Sequence, residues 1–139
     1  MTTLYEKDFC GWSEQQSKLL LDKRWGEIDI ENIIEEIESL GKSEKHKLES
    51  YLIVLLMHML KATVQAKTRS WELSIKFSKK RVIKVLNENP SLKPRLKEFI
   101  DSAYESSILK AAQETGVDEE LFPKECPWTI DEILDTKQG

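Results

Sequence analysis

The stretch YLIVLLMHML, residues 51–60, decides the fold class of this chain. Eight of its ten residues are apolar, Tyr51 is apolar with a polar tip, and His58 is its one histidine. A helix through this stretch is apolar around its whole circumference, so other helices must enclose it. The sequence predicts an all-α protein, a five- or six-helix bundle with the helix containing residues 51–60 at its centre.

Apolar residues recur with the 3.6-residue period of a helix along nearly the whole chain, and no alternating stretch predicts a strand. Gly41 is expected to end a helix that carries an isoleucine stripe, and Ser43 is expected to cap the central one. A capping box of Thr129 and Glu132 predicts a last short helix. Without a repeat or a linker, we expect one helical domain over residues 1–139. The other predicted helices span residues 8–26, 29–41, 43–63, 70–87 and 92–115.

Composition favours a cytoplasmic protein. The two cysteines, Cys10 and Cys126, lie near opposite ends without the spacing of a zinc site, which argues for a reducing compartment. The first residues, MTTLYEKDF, carry acids where a signal peptide has its apolar core. The longest apolar run is about half of what a bilayer span needs, so no membrane contact is expected.

The net charge of −4 conceals an uneven distribution. Residues 27–38 hold six acids and no base, whereas residues 61–84 hold eight bases and one acid, Glu72. Such runs commonly mark solvated helix faces, and these two are also opposite in sign. The first interpretation is therefore that both runs are solvent-exposed helix faces, and the second is that they attract each other across the bundle.

His58 needs a partner, because a buried polar group without one costs about 1–3 kcal/mol. A hydrogen bond to a carbonyl, hydroxyl or carboxylate on a neighbouring helix would satisfy it. Alternatively, if a turn at Gly41 folds the chain back, Glu35 and Glu38 approach His58. Two carboxylates and an imidazole can bind a divalent metal in a helical bundle, although the Glu-x-x-His motif of di-metal bundles is absent. We therefore expect no cofactor, with these three residues as weak metal candidates.

The predicted helix over residues 70–87 has two different sides. Trp71, Ile75, Val82 and Leu86 form a core stripe, and bases surround two apolar residues on the opposite side. An exposed aromatic among lysines fits a protein partner or a second copy of the chain. It also fits single-stranded nucleic acid, but the isoelectric point near 5.3 disfavours that. The candidate interface residues are Leu73, Phe77, Lys80 and Lys84.

The order of several motifs resembles the domain-of-unknown-function family 29, a group of small, all-helical bacterial proteins that are frequent in cyanobacteria. The motifs are YEKDFCGW, DIENIIEEIESLG, LLMHMLK, RSW, NPSL and FPKECPWTIDEIL, and together they cover essentially the whole chain. The resemblance implies a soluble helical protein without an assigned activity. Where the family pattern has an aromatic and a proline in the connector, this chain has Ala62 and Ala66. The pattern singles out Asp29, Asn32, Glu35, Glu36, Glu38, His58, Lys61, Gln65, Arg69, Ser70 and Trp71.

Three functions remain open at this point. The first is a small non-catalytic interaction or regulatory module, a homodimer or a binder of another protein. The second is a metal-dependent or carboxylate-based enzyme centred on Glu35, Glu38 and His58, although no catalytic motif is present. The third is a nucleic-acid-associated or antitoxin-like protein. We also expect a polar cluster that links the helices, in which Arg69 pairs with a glutamate. Its members would be Glu35, Glu38, His58, Gln65, Arg69 and Trp71.

Overall fold

The computed structural model describes residues 3–66 and 68–134, and over these residues it contains helices and no strand. The prediction of an all-α fold is confirmed. Lys67, one of the eight bases of residues 61–84, lies outside the described residues. Short 3-10 turns occupy Trp25–Glu27, Pro90–Arg95 and Glu119–Leu121. The helices are α1 (Leu4–Lys7), α2 (Phe9–Leu21), α3 (Ile30–Val64), α4 (Arg69–Glu88), α5 (Leu96–Thr115) and α6 (Ile130–Leu134).

Helix α3 corrects one predicted boundary. It runs without a break through Gly41 and Ser43, so the prediction of a stop at Gly41 and a new helix from Ser43 is wrong. Gly41 does not adopt a positive φ, and a Cβ built on it would meet no atom within 4 Å. A helical glycine costs only about 0.5–1 kcal/mol relative to alanine. That cost is too small to end a helix that the residues on both sides support.

The chain divides into two compact units, Met1–Lys42 and Ser43–Gly139. The first unit contains α1, α2 and the start of α3. Helix α2 ends at Leu21 instead of the predicted Trp25-Gly26, because Lys23 adopts a left-handed φ of 57°. The amides of Lys23 and Arg24 then bond back to α2 carbonyls at 3.1 and 3.0 Å, which is a Schellman motif. The single domain over residues 1–139 stays a prediction.

The second unit is built around residues 51–60, none of which is exposed. Leu52, Leu55, Leu56 and Leu60 are fully buried, and each contributes about 1.5–3 kcal/mol of apolar burial before entropy is subtracted. The predicted position of this helix at the centre is confirmed. The other helices contribute Val82, Leu86, Leu96, Ile100, Ala103 and Ile133 to the same core.

The remaining boundaries follow from local chemistry. Pro94 lies in the 3-10 turn, so α5 begins at Leu96, four residues later than predicted. Gly116 ends α5 with a left-handed φ of 74°, as its position in the sequence predicts. Thr129 and Glu132 exchange hydrogen bonds of 3.1 and 3.3 Å, which confirms the capping box. No helix in the described part of the chain has the length and apolar character needed to cross a membrane.

Candidate functional site

Helix α4 has one buried side and one exposed side. The Thr68 hydroxyl caps it by accepting the Trp71 amide hydrogen at 3.2 Å. Val82, Val85 and Leu86 are buried against the core. The opposite side exposes its apolar residues together with a group of cations. We call this side the α4 basic face, formed by Arg69, Leu73, Lys76, Phe77, Lys80, Arg81 and Lys84.

The apolar centre of the α4 basic face is exposed to solvent. The exposed fraction is 47% for Leu73 and 56% for Phe77. The Arg81 guanidinium lies 4.3 Å from the Phe77 ring centre and 5.4 Å from that of Tyr51. Because cation–π contacts of this kind contribute about 0.5–1 kcal/mol at exposed sites, Arg81 favours this position of the Phe77 ring.

The cations of this face have little to neutralise them. Arg69 pairs with Glu72 at 3.8 Å and Lys84 with Glu88 at 4.0 Å, both within α4 and both exposed. Pairs of this kind contribute about 0–1 kcal/mol and leave most of the positive charge available to a partner. Lys76 and Lys80 make no ion pair with any residue that the structure describes.

Two shallow, open grooves adjoin along the α4 basic face. The first has a volume of about 800 Å³ and the second about 380 Å³, and both include Phe77 and Lys80. The structure thus brings three of the four candidate interface residues into the first groove, and Lys84 lines the second with Arg81. A ligand that fills both must extend along α4, because the two grooves share Phe77 and Lys80 and adjoin along that helix. The first groove is lined by Arg69, Ser70, Leu73, Ser74, Lys76, Phe77 and Lys80.

A polar cluster lies where α3, α4 and α5 meet. The Lys61 ammonium bonds to the Glu114 carboxylate at 3.2 Å and lies 5.3 Å from the centre of the Trp71 ring. His58 is half-buried one turn earlier on α3. Burial, and then the Lys61 charge, lower the pKa of His58, while Glu114 opposes the shift. The shift favours the neutral form of the imidazole.

Two nitrogen atoms of this cluster are buried without a hydrogen-bond partner among the described residues: Nδ1 of His58 and Nε1 of Trp71. The expected neighbour that would satisfy His58 is therefore not found in that part of the chain. Glu114 was not a predicted member of the cluster, because it lies 53 residues from Lys61 and only the packing of α5 on α3 brings it there. No local pattern could have identified it.

The other four residues of the predicted cluster are exposed. Glu35 and Glu38 are exposed on α3 in the first unit, and Gln65 is exposed beyond its end. Arg69 pairs with Glu72, not with a glutamate of another helix. Because α3 continues through Gly41, the turn that was to bring Glu35 and Glu38 toward His58 does not exist. Among residues 3–66 and 68–134, no three His, Cys, Asp or Glu side chains could hold a metal ion.

Two acids of residues 27–38, Asp29 and Glu36, help to hold the first unit together. The Asp29 carboxylate accepts hydrogen bonds from the Trp12 indole at 3.0 Å and from the Asn32 amide at 2.8 Å. These bonds, the one from Asn32 first, lower the pKa of Asp29. Tyr5 donates to Glu36 at 2.5 Å, and this bond is the main reason that the pKa of Tyr5 is raised to about 12. Three of the residues that the resemblance singles out, Asp29, Asn32 and Glu36, therefore have structural partners.

The same part of α3 also exposes an apolar stripe. The exposed fraction is 59% for Ile30, 50% for Ile34, 62% for Ile37 and 70% for Leu40. The isoleucine stripe was visible in the sequence, but its exposure was not, because the period of a stripe does not show what covers it. This face is the largest feature that sequence reasoning missed.

No curated protein and no solved structure matches the chain. A family model, described as a domain of unknown function, DUF29, matches residues 4–138, which is nearly the whole chain. The resemblance given by the sequence motifs is confirmed, and the chain belongs to the DUF29 family.

Proposed function

We propose that this protein is a non-catalytic interaction module that binds an acidic amphipathic helix on the α4 basic face. The observation that carries the proposal is the exposure of Leu73 and Phe77 between cations that lack strong partners. Such a face provides apolar anchors for affinity and positive charge for specificity. A reducing, cytoplasmic setting suits the proposal, since Cys10 and Cys126 are both free.

The shape of the face favours a helix as the ligand. Leu73, Phe77, Lys80 and Lys84 recur at i, i+4, i+7 and i+11, so they form one straight row along α4. From Leu73 to Lys84 the row is about 16 Å long, at about 1.5 Å per residue. A helix laid along it would meet both apolar and charged residues in register. The two adjoining grooves also suit a long, narrow ligand.

The test is a fluorescence anisotropy titration with a labelled synthetic peptide that has leucine at i, i+3, i+4 and i+7 and glutamate between. Phe77→Glu should weaken its binding at least about tenfold, as expected for a central anchor. Leu109→Glu is the matched control, because Leu109 is 59% exposed on α5, away from the grooves. Equal binding by both variants would contradict the proposal.

A second ligand in the same assay distinguishes protein binding from nucleic-acid binding, which is the remaining alternative for this face. A single-stranded oligonucleotide should bind more weakly than the acidic peptide, and a peptide with lysine in place of glutamate should not bind. If the oligonucleotide binds more tightly, with an affinity that falls steeply with salt, the face recognises phosphates and the proposed function is wrong.

A further inference from the structure

The first unit also carries a surface with exposed apolar residues, but the charges beside them are negative, whereas those of the α4 basic face are positive. Ile30, Ile34, Ile37 and Leu40 are each at least half exposed on α3. Glu31, Glu35 and Glu38 are also exposed and follow the helix at i, i+4 and i+7, along one border of the stripe. We call this surface the acidic isoleucine face.

Contacts within the first unit keep the acidic isoleucine face exposed. On the flank of the stripe that lies away from the three glutamates, Asp29 bonds to Trp12 and Glu36 bonds to Tyr5. The Tyr5 ring also packs edge-on against Trp12, with 4.6 Å between the ring centres. These contacts tie α1 and α2 to that side, so α3 cannot rotate to bury its isoleucines within the unit without breaking them.

The two faces match in length and in charge. From Ile30 to Leu40 the apolar stripe extends about 15 Å, against about 16 Å for the row on α4. The apolar stripe on α3 is bordered by three glutamates. On α4, Leu73 and Phe77 form the apolar part of the row, and Lys80 and Lys84 continue it. Pairing either face with its own copy would oppose like charges, which is unfavourable. Pairing the acidic isoleucine face with the α4 basic face places isoleucines against Leu73 and Phe77 and brings glutamates near lysines.

We infer that the acidic isoleucine face of one molecule binds the α4 basic face of a second copy of this chain. This inference rests on the proposed function and names its partner. Because each copy carries both faces, two molecules have the residues for two such contacts. The buried centre would be Ile34 and Ile37 against Leu73 and Phe77, with the glutamates beside the lysines.

A charge-swap experiment on the full-length chain tests the inference. Variant one is Glu35→Lys with Glu38→Lys, and variant two is Lys80→Glu with Lys84→Glu. All four residues are exposed. Sedimentation velocity at low ionic strength should show a wild-type dimer and at least about tenfold weaker association for each variant alone. An equimolar mixture should restore the dimer, because the mixed pair has one native contact and one with its charges exchanged.

Controls make each outcome decisive. Glu119→Lys with Glu120→Lys reverses two exposed acids elsewhere and should leave the wild-type dimer unchanged. Restoration by mixing also shows that both variants are folded, and added salt should reduce the differences. A wild-type chain that stays monomeric at high concentration, or variants whose mixture stays monomeric, would overturn the inference.

The peptide assay separates this failure from failure of the proposed function. Variant one keeps its α4 basic face, so it should still bind the acidic peptide, whereas variant two should not. Peptide binding by a monomeric wild-type chain would leave the function standing with another protein as partner. Loss of both peptide binding and dimerisation would reject the two together.

Discussion

The Gly41→Ala substitution should stabilise the protein if α3 is continuous at Gly41 and destabilise it if the helix ends there. In the structure Gly41 is inside α3 without a positive φ, and a Cβ there has open space around it. Alanine should therefore stabilise the protein by about 0.5–1 kcal/mol, the usual difference from glycine in a helix interior. If Gly41 instead held the left-handed conformation of a helix stop, alanine would destabilise it by about 1–2 kcal/mol.

Thermal unfolding followed by circular dichroism measures the sign. For a chain of this size 1 kcal/mol corresponds to about 3–4 °C, so the melting temperature should rise by about 2–4 °C. Hydrogen exchange of the amides of residues 38–46 should slow about two- to fivefold. Gly116→Ala is the matched control: Gly116 does have a positive φ, and its replacement should lower the melting temperature. A Gly41→Ala variant that behaves like Gly116→Ala would refute the continuous helix.

Three further substitutions test the core, the polar cluster and the first unit. Leu56→Ala should lower the free energy of unfolding in urea by about 2–5 kcal/mol, because Leu56 is fully buried, whereas Leu109→Ala should change it by less than about 0.5 kcal/mol. Because the pKa of His58 is lowered in the folded protein, the unfolded chain takes up a proton at a higher pH than the folded one. The free energy of unfolding is therefore highest above pH 6.5, and it decreases as the pH falls from 6.5 toward the pKa of His58 in the folded protein. His58→Leu should remove this loss of stability at low pH without lowering stability above pH 6.5. His46→Leu, at an exposed position, should keep the loss. Equal dependence of the free energy of unfolding on pH in the two variants would contradict a neutral His58 ring without a hydrogen-bond partner. Asp29→Ala should speed amide hydrogen exchange in α2, measured by mass spectrometry on peptides from residues 9–21. Acid should have the same effect on the wild-type protein as the pH falls below 3.8 and through the lowered pKa of Asp29. Unchanged exchange in these peptides would contradict the role of this carboxylate.

Sequence reasoning succeeded where one local signal determines one structure. Residues 51–60 could only be enclosed, because a helix that is apolar on all sides has no other stable position. The Thr129 and Glu132 pair formed its reciprocal bonds, and Gly116 adopted the left-handed conformation that glycine favours. The two sides of α4 were also predicted, since Val82 is buried and Phe77 exposed.

It failed where the same residue is compatible with two structures. Gly41 is an ordinary helix stop in sequence, yet its propensity is too weak to decide against the residues around it. Lys23 ends α2 in a left-handed conformation that lysine rarely adopts, so no sequence signal marks it. The error at Gly41 carried into the site, since the approach of Glu35 and Glu38 to His58 depended on that turn.

The candidate site was foreseen only in part. The exposure of Leu73 and Phe77 on α4 could be predicted from a single sequence, because it depends only on one helix and its period. The Lys61–Glu114 pair depends on packing between distant segments, which periodicity does not encode. The exposure of Ile34 and Ile37 depends on what α1 and α2 leave uncovered, and that is a property of the folded unit.

The measurement that tests the central claim most directly is an NMR titration of isotope-labelled protein with the acidic amphipathic peptide. The Glu35→Lys, Glu38→Lys variant is used, so that self-association does not compete. The account predicts that amide shifts change along the α4 basic face, most strongly at Leu73, Phe77 and Lys80, and stay constant around Leu109 on α5. Shift changes concentrated around His58, or none at saturating peptide, would contradict the account.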